Sequence, residues 1–483
     1  MLSVGYQVLL LGIAVVYLAF CIWAGYRKST EIKNATDYFL SSKDVTFWFL
    51  FFTCWASFSG AGNFIGYAGR GAIHGISGYW LYFGEVLIGY SVFGFVLAPY
   101  LARFGYVSMA HYLSDYLAGG NPLVRRVAGF ANLLPNVCWV GGQVMGLSYL
   151  WTMIFGVDPR IVMVVVGFVF IYYTVSGGIK AVIYTDFFQG IMQLALAVAV
   201  VGYLIKVTRL DVPWVRETLI KQNPALWQWF PGGVMTHVST FLVGLFGGLS
   251  NPIFWNRAFC AKDVKTARRA FGISMSITIV VVALVIFLGM AARAMNPNVG
   301  DQATIWFVFS HTHPIVQVLT VLCVMAATMS TADTHLNCGA ANLVMDIVDP
   351  EAKLPDKAQV NYSRMATLVA GIFAVAGAVI FPTILDLAMF GYAVCGGVLI
   401  PFFVIGWLLR DKSSEKFKSS LSLKAAQTGL IIGTVVAVLF EGVPSLRAWL
   451  GGGIIPAIVA TTVILLIANA FTRGASKPAS AQG

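Results

Sequence analysis

Apolar residues in this chain come in long blocks, not in alternation or in a narrow helical stripe. A helix needs about 20 mostly apolar residues to cross the hydrocarbon core of a bilayer, and blocks of that kind recur along the chain. They predict thirteen spans, at roughly 4–25, 45–69, 77–102, 124–155, 160–179, 182–207, 233–259, 271–293, 314–347, 362–382, 384–409, 423–441 and 452–472. The connections are short, and the longest, 208–232, is too small for a soluble domain. Helices that are apolar on every side belong in lipid or deep in a bundle. The pattern therefore predicts an all-α integral membrane protein with 13 transmembrane helices.

Composition agrees. The 483 residues are 58% hydrophobic and 11% charged, where a soluble domain carries about 25% charged residues, and mean hydropathy is +0.80. That balance excludes a water-soluble enzyme, a nucleic-acid binder and a disordered scaffold. The net charge of +11 is mostly a matter of placement. An odd number of spans puts the termini on opposite sides. With the N-terminus outside, 23 of the 31 Lys and Arg residues fall in cytoplasmic segments and 8 outside, with clusters in 26–44, 257–270 and 410–424. The positive-inside rule then predicts an external N-terminus and a cytoplasmic C-terminus. The opening MLSVGYQ lacks the basic region of a cleaved signal peptide, so the first block is expected to remain as a helix. The seven cysteines are scattered without a C-x-x-C, which is neither a disulfide framework nor a metal cluster.

Two spans carry interruptions. The second contains Ser57-Phe58-Ser59-Gly60-Ala61-Gly62-Asn63, and the seventh contains Gly244-Leu245-Phe246-Gly247-Gly248-Leu249-Ser250-Asn251-Pro252. In a helix Gly costs about 1 kcal/mol relative to Ala and Pro about 3. Backbone freed at membrane depth must line a cavity or be satisfied by protein. These spans open two blocks of five, 2–6 and 7–11, and matched interruptions of this kind point to a secondary-transporter binding site. The other reading is that the small residues only let helices approach closely.

The ninth span supplies oxygen. Ala327, Ser330 and Thr331 stand at i, i+3 and i+4 on one helix face. Two hydroxyls and a carbonyl suit a hard, weakly charged cation, and carbonyls at Ala56 and Ser59 of the broken second span would complete the shell. Neutral ligands favour a monovalent ion, since a divalent one recruits carboxylates. Alternatively the two hydroxyls bond back to their own helix. The few acids in or at the ends of apolar spans include Glu85, Asp186 and Asp333. Such residues are functional by default, although Asp186 at the start of its span equally suits a helix cap. The six histidines form no H-E-x-x-H pattern, and no catalytic triad or phosphate loop stands out, so the chain is not expected to be an enzyme.

Three motifs carry a family resemblance. Gly177-Gly178-Ile179-Lys180-Ala181-Val182-Ile183-Tyr184-Thr185-Asp186-Phe187-Phe188-Gln189 is similar to a G-G-x-x-A-V-x-x-T-D-x-x-Q signature. Met329-Ser330-Thr331-Ala332-Asp333-Thr334 through Asp346 is similar to an S-T-A-D-x-x-L…D-I run. Asn256-Arg257, with Ala261-Lys262-Asp263 and Ala267-Arg268-Arg269-Ala270, is similar to a Q-R…A-x-x…A-R cytoplasmic loop. Together, over about residues 36–412, the chain resembles the sodium:solute symporter family, which includes proline, galactose, sialic acid and choline carriers.

The resemblance implies a LeuT-type core of two inverted five-helix repeats with discontinuous helices. Its divisions would be an N-terminal extra helix and loop (1–44), a first repeat (45–207), an external loop (208–232) and a second repeat (233–411). Two C-terminal helices (412–472) and a disordered cytoplasmic tail (473–483) would follow. It places a sodium site on Ala56, Ser59, Ala327, Ser330 and Thr331, the residues already selected by their chemistry. A second site, on Asp186, Ser330, Asp333 and Thr334, departs from the two-sodium members by the carboxylate at Asp333. The sugar-contacting position falls on Asn63. An aromatic that shields substrate in some members falls near Gly247-Gly248, which implies a roomier site or a gate built elsewhere. Expected contacts for a small polar organic solute are Asn63, Glu85, Gln143 and Asn251.

The implied activity is sodium-coupled symport into the cell by alternating access, at the plasma (bacterial inner) membrane. The expected partners are sodium ion, a small-molecule substrate and the lipid bilayer, with no nucleic acid and with a monomer or weak oligomer as the unit. A proton-coupled carrier, or a solute sensor on the same scaffold, stays open as the alternative.

Overall fold

The computed structural model describes residues 2–29, 45–175, 179–409 and 421–474, and among these the chain is helical nearly throughout. The principal helices are α1 (Val4–Ser29), α2 (Phe47–Phe58), α3 (Tyr67–His74), α4 (Pro122–Phe155), α5 (Pro159–Val175), α6 (Ile179–Thr208) and α7 (Val234–Ser250). They continue as α8 (Pro252–Cys260), α9 (Val264–Met295), α10 (Pro314–Ala341), α11 (Asp356–Ile380), α12 (Ile384–Leu408), α13 (Leu423–Gly442) and α14 (Ile454–Gly474). Several expectations fall wholly or partly on segments outside the described residues: Gly177-Gly178 of the first motif, most of loops 26–44 and 410–424, and the tail beyond 474.

Eleven helical stretches among the described residues are long and apolar enough to cross a membrane, with two shorter apolar helices, Phe47–Phe58 and Pro159–Tyr172. The difference from thirteen has local causes. The second predicted span is cut in two, which leaves α2 with 12 residues, and the apolar part of α5 is also short. The second half of the broken span and the third span run as one helical stretch, Gly62–Leu101, bent at Gly75. There φ is +58 and a Cβ would strike the Leu226 carbonyl, so only glycine fits.

Burial sorts the helices into layers. The apolar windows of α4, α10 and α12 are 78% buried, while that of α1 is 22% and that of α14 is 28%. The first three therefore form the centre and the last two face outward, as bilayer contact requires. α2 packs on α6 and α9, α10 on α4 and α6, and α12 on α4 and α7. α13 and α14 pack on each other and against α12. A parallel bridge between Val45 and Ala261 ties the start of the first broken span to the end of the second.

The glycine run of span seven is helical, and the chain breaks later, at Asn251-Pro252. Proline removes a donor and clashes with the preceding turn. The glycines serve packing instead. A Cβ on Gly244 would lie 2.7 Å from the Leu81 carbonyl and 2.8 Å from the Glu85 amide, and one on Gly248 would lie 3.1 Å from the Glu85 carbonyl. Close helix approach at these positions brings Glu85 against the second broken span. Gly247 faces the ring of Tyr392, so α12 fills the space beside it.

Candidate functional site

The first break is built around Gly60. α2 ends at Phe58, Ser59 leaves helical geometry at φ −100 and ψ 40, and its amide bonds back to Trp55. The chain restarts at Ala61, whose orphan amide donates to Gln143 Oε1 of α4 at 2.8 Å. A Cβ at Gly60 would stand 2.5 Å from Thr331 Oγ1 and 2.8 Å from Gln143 Oε1. Glycine thus lets the broken helix close on α10 while Gln143 supplies the cap that the interrupted backbone needs.

Facing that break, the Ser330 hydroxyl lies 3.1 Å from the Ala56 carbonyl and 3.1 Å from the Ala327 carbonyl. It also accepts from the Gln193 amide at 3.2 Å. One hydroxyl proton cannot fully satisfy two carbonyls, so oxygen lone pairs converge here with little proton supply. Thr331 Oγ1 bonds the Ser57 carbonyl at 3.3 Å. Ser330 therefore bonds both within its helix and across to the broken one. Of the five residues expected at the sodium site, Ala56, Ala327 and Ser330 meet directly. Thr331 reaches one residue farther along α2, and Ser59 is buried at the bend.

The expected second site divides. Asp186 Oδ2 accepts from Thr53 at 2.5 Å, from Ser57 at 3.4 Å and from Arg257 at 3.2 Å. The same guanidinium nitrogen donates to Thr334 at 2.7 Å. Asp333 instead accepts from Thr174 of α5 at 2.6 Å. Asp186 and Thr334 thus share Arg257, while Asp333 turns toward another helix. Sequence reasoning placed Arg257 in a cytoplasmic loop, yet both members of its pair with Asp186 have 0% exposed side chains. The available signal was its position inside the apolar stretch 233–259, where a guanidinium requires a carboxylate.

Glu85 is 1% exposed. Its carboxylate accepts from three tyrosines: Tyr67 at 2.6 Å, Tyr90 at 3.1 Å and Tyr392 at 3.1 Å. Asn251 caps α8 through Oδ1 to the Ile253 amide at 3.1 Å, and its Nδ2 donates to Tyr392 at 2.8 Å. Asn63 donates to the Phe58 carbonyl.

A small cavity lies between the two breaks, lined by Ser57, Phe58, Gly60, Asn63, Tyr90, Trp139, Asn251, Phe254, Thr331 and His335. It leaves about 10 Å³ to the centre of a water-sized sphere, room for roughly one water. Asn63 and Asn251 reach it directly, and Glu85 stands one layer behind. Gln143 contacts Gly60 and Ala61 at its edge. Trp139 and His335 form one wall, their rings stacked at 6.0 Å and 7°. His335 bonds Asn136 at 2.8 Å. His335, Tyr67 and Tyr392 were not singled out from sequence, because aromatic residues in apolar blocks look alike until the fold assembles them.

Comparisons with known proteins agree on the class. The model of the sodium:solute symporter family matches residues 38–416. The chain is 24% identical to the osmoregulated proline transporter OpuE of Bacillus subtilis (strain 168), over 93% of this chain and 94% of that one. It is 23% identical to sodium/proline symporter 2 of Staphylococcus saprophyticus, over 96% and 92%. Among solved structures, a Na+-coupled sialic acid symporter shares the fold at a TM-score of 0.73 with 18% identity, covering 98% of this chain and 99% of that one. The nucleobase-cation-symport-1 family transporter Mhp1 is similar at a TM-score of 0.53 with 14% identity, over 91% and 96%. The chain is a multi-pass membrane transporter, not an enzyme, and it belongs to the sodium:solute symporter family.

Proposed function

We propose that this protein couples the entry of sodium to the uptake of a small polar organic solute of the proline type. The observation that carries the reading is Ser330, whose hydroxyl lies between carbonyls of the broken helix and of α10. A sodium ion bound by Ala56, Ala327 and Ser330, with Ser59 and Thr331 closing the shell, would join the two elements and hold the break in one form. The proline class is supported by the names of the relatives, OpuE and sodium/proline symporter 2. Asn63 and Asn251 would touch the solute, and Gln143 would hold the break in shape. Asp186, Asp333 and Thr334 would serve a second sodium if one is used, and Asp186 Oδ1, which has no hydrogen-bond partner among the described residues, is the oxygen available to it.

In this reading the chain crosses the plasma membrane thirteen times, the halves of the first broken span and α5 completing the count. The N-terminus is outside, the repeats occupy 45–207 and 233–411, and the unit is a monomer or weak oligomer. Each sodium ion crossing 100 mV contributes about 2.3 kcal/mol. At about 1.4 kcal/mol per tenfold, the potential alone supports roughly fortyfold accumulation.

The test is proline uptake into proteoliposomes at fixed pH, with sodium or potassium outside. Uptake that requires sodium supports the proposal. Uptake driven equally well by a proton gradient without sodium overturns it in favour of proton coupling. Binding without accumulation overturns it in favour of a sensor.

A further inference from the structure

At the second break, a backbone amide settles the direction of every hydrogen bond. The Ile253 N–H can only donate, so Asn251 must meet it with Oδ1, at 3.1 Å. Nδ2 then faces Tyr392 Oη at 2.8 Å, and that oxygen accepts. A tyrosine has one proton, which is left for Glu85 Oε1 at 3.1 Å. The first break repeats the logic from a carbonyl. The Phe58 C=O can only accept, so Asn63 turns Nδ2 to it, which leaves Oδ1 as its other polar atom. The Tyr90 proton goes to Glu85 Oε1 at 3.1 Å. Tyr67 of α3 sends a third to Oε2 at 2.6 Å.

Three tyrosine protons therefore end on one buried carboxylate, one of them closing a donor chain that starts from Asn251 of the second broken helix. Around Tyr90 the atoms left over are acceptors, whereas Asn251, which also lines the cavity, keeps the second proton of its Nδ2. Asn63, with one amide proton on the Phe58 carbonyl, has Oδ1 to offer, and Tyr90 has an oxygen whose proton points away. Both residues line the cavity. Glu85 itself does not line it, but its negative charge stands immediately behind, in a medium where charge acts strongly.

We infer that Glu85 is a positioning residue that sets specificity. By drawing the tyrosine protons away from the cavity, it presents Asn63 Oδ1 and Tyr90 Oη as acceptors that select a solute carrying a protonated amine. This inference rests on the symport reading for the location of the solute site. It replaces the expectation of direct contact between Glu85 and solute with action through Tyr90 and Tyr392.

Glu85→Gln keeps the shape but reverses one bond. The new Nε2 must donate to a hydroxyl, and that tyrosine must turn its proton elsewhere. Glu85→Asp retains the acceptor, and Tyr90→Phe deletes one acceptor oxygen while leaving Glu85 in place.

The experiment measures thermal stabilisation of the purified full-length protein in sodium by three probes: proline, pyrrolidine (amine without carboxylate) and cyclopentanecarboxylate (carboxylate without amine). A ligand that binds only the folded state raises stability by mass action. In the wild type, proline and pyrrolidine are expected to stabilise and cyclopentanecarboxylate is not. In Glu85→Gln and in Tyr90→Phe, the preference for proline over cyclopentanecarboxylate falls at least tenfold, and Glu85→Asp restores most of it. A merely structural role for Glu85 would lower the melting temperature without moving that ratio. Equal binding of proline and cyclopentanecarboxylate by the wild type, no response to any of the three probes, or an unchanged ratio in both variants overturns the inference. Repeating the proline titration in potassium separates the two claims, since a response indifferent to sodium counts against symport and leaves the amine preference to be read from the same curves.

Discussion

Ser330 carries more of this molecule than its size suggests, because one hydroxyl serves carbonyls on two helices and accepts from Gln193. Removing it leaves those carbonyls in place but deletes the ligand that links them. Ser330→Ala is expected to weaken the apparent affinity for sodium at least tenfold, about 1.4 kcal/mol, and Thr331→Ala by less, because Thr331 bonds only the Ser57 carbonyl among the residues facing it. Stabilisation titrated with sodium, against potassium and choline as ionic-strength controls, reads both effects. Equal responses from wild type and Ser330→Ala would remove this hydroxyl from the site. At this scale much was legible: Ala327, Ser330 and Thr331 share a face by spacing alone. Arg257 was not, because a basic residue near the end of an apolar block reads equally as a loop charge or as a buried ion. Its location depends on where the helix stops, and that is decided by packing.

Among elements, the two interruptions differ in construction. The first restarts at Ala61 under a cap from another helix, Gln143, while the second restarts under its own Asn251 followed by Pro252. Asx-Pro is a local helix-start signal and stands in the sequence. A cap contributed by α4 does not. Gln143→Leu would leave the buried Ala61 amide unpaired, at a cost of about 1–3 kcal/mol. The expected result is a lowered melting temperature together with loss of transport, and Gln143→Glu, which keeps an acceptor, should recover most of the stability. An unchanged melting temperature in Gln143→Leu would show that the cap matters little. Within the expected interruption, Gly244–Pro252, the break falls at Asn251-Pro252 and the glycines mediate contact, because a glycine inside a well-packed helix is held there by its neighbours. Proline, which lacks the donor altogether, marks the interruption.

Across the whole molecule, the Arg257–Asp186 pair joins α8 to α6 without solvent access. Removing one partner of such a pair costs about 3–5 kcal/mol, because a charge is left buried and alone. Arg257→Gln and Asp186→Asn are each expected to depress the melting temperature more than the double variant does. If the two single effects add in the double variant, the pair is not coupled. Two further ion pairs lie outside the lining of the cavity. Arg125 meets Asp346 at 2.9 Å beyond the C-terminal end of α10, and Arg70 approaches Asp386 at 3.7 Å near the start of α12. In an alternating-access cycle they would act as latches. Arg125→Ala and Arg70→Ala should then change the labelling of a cysteine introduced at Asn63 from opposite faces of the membrane. Changes of the same sign would dismiss that role.

Membrane class, helical composition, the matched pair of interruptions and the oxygen-bearing face of α10 follow from the chain alone, because hydropathy, helical period and the cost of Gly and Pro are properties of neighbouring residues. The partners at the site belong to the fold. Arg257 with Asp186, Gln143 with Ala61, and Glu85 with Tyr67, Tyr90 and Tyr392 are separated by 18 to 307 residues in four of the five contacts and by 5 in the other. Each depends on how closely two helices approach and on which way a side chain turns within the gap. Glycines at 60, 244, 247 and 248 set that approach, and their effect exists only once the opposing helix is present.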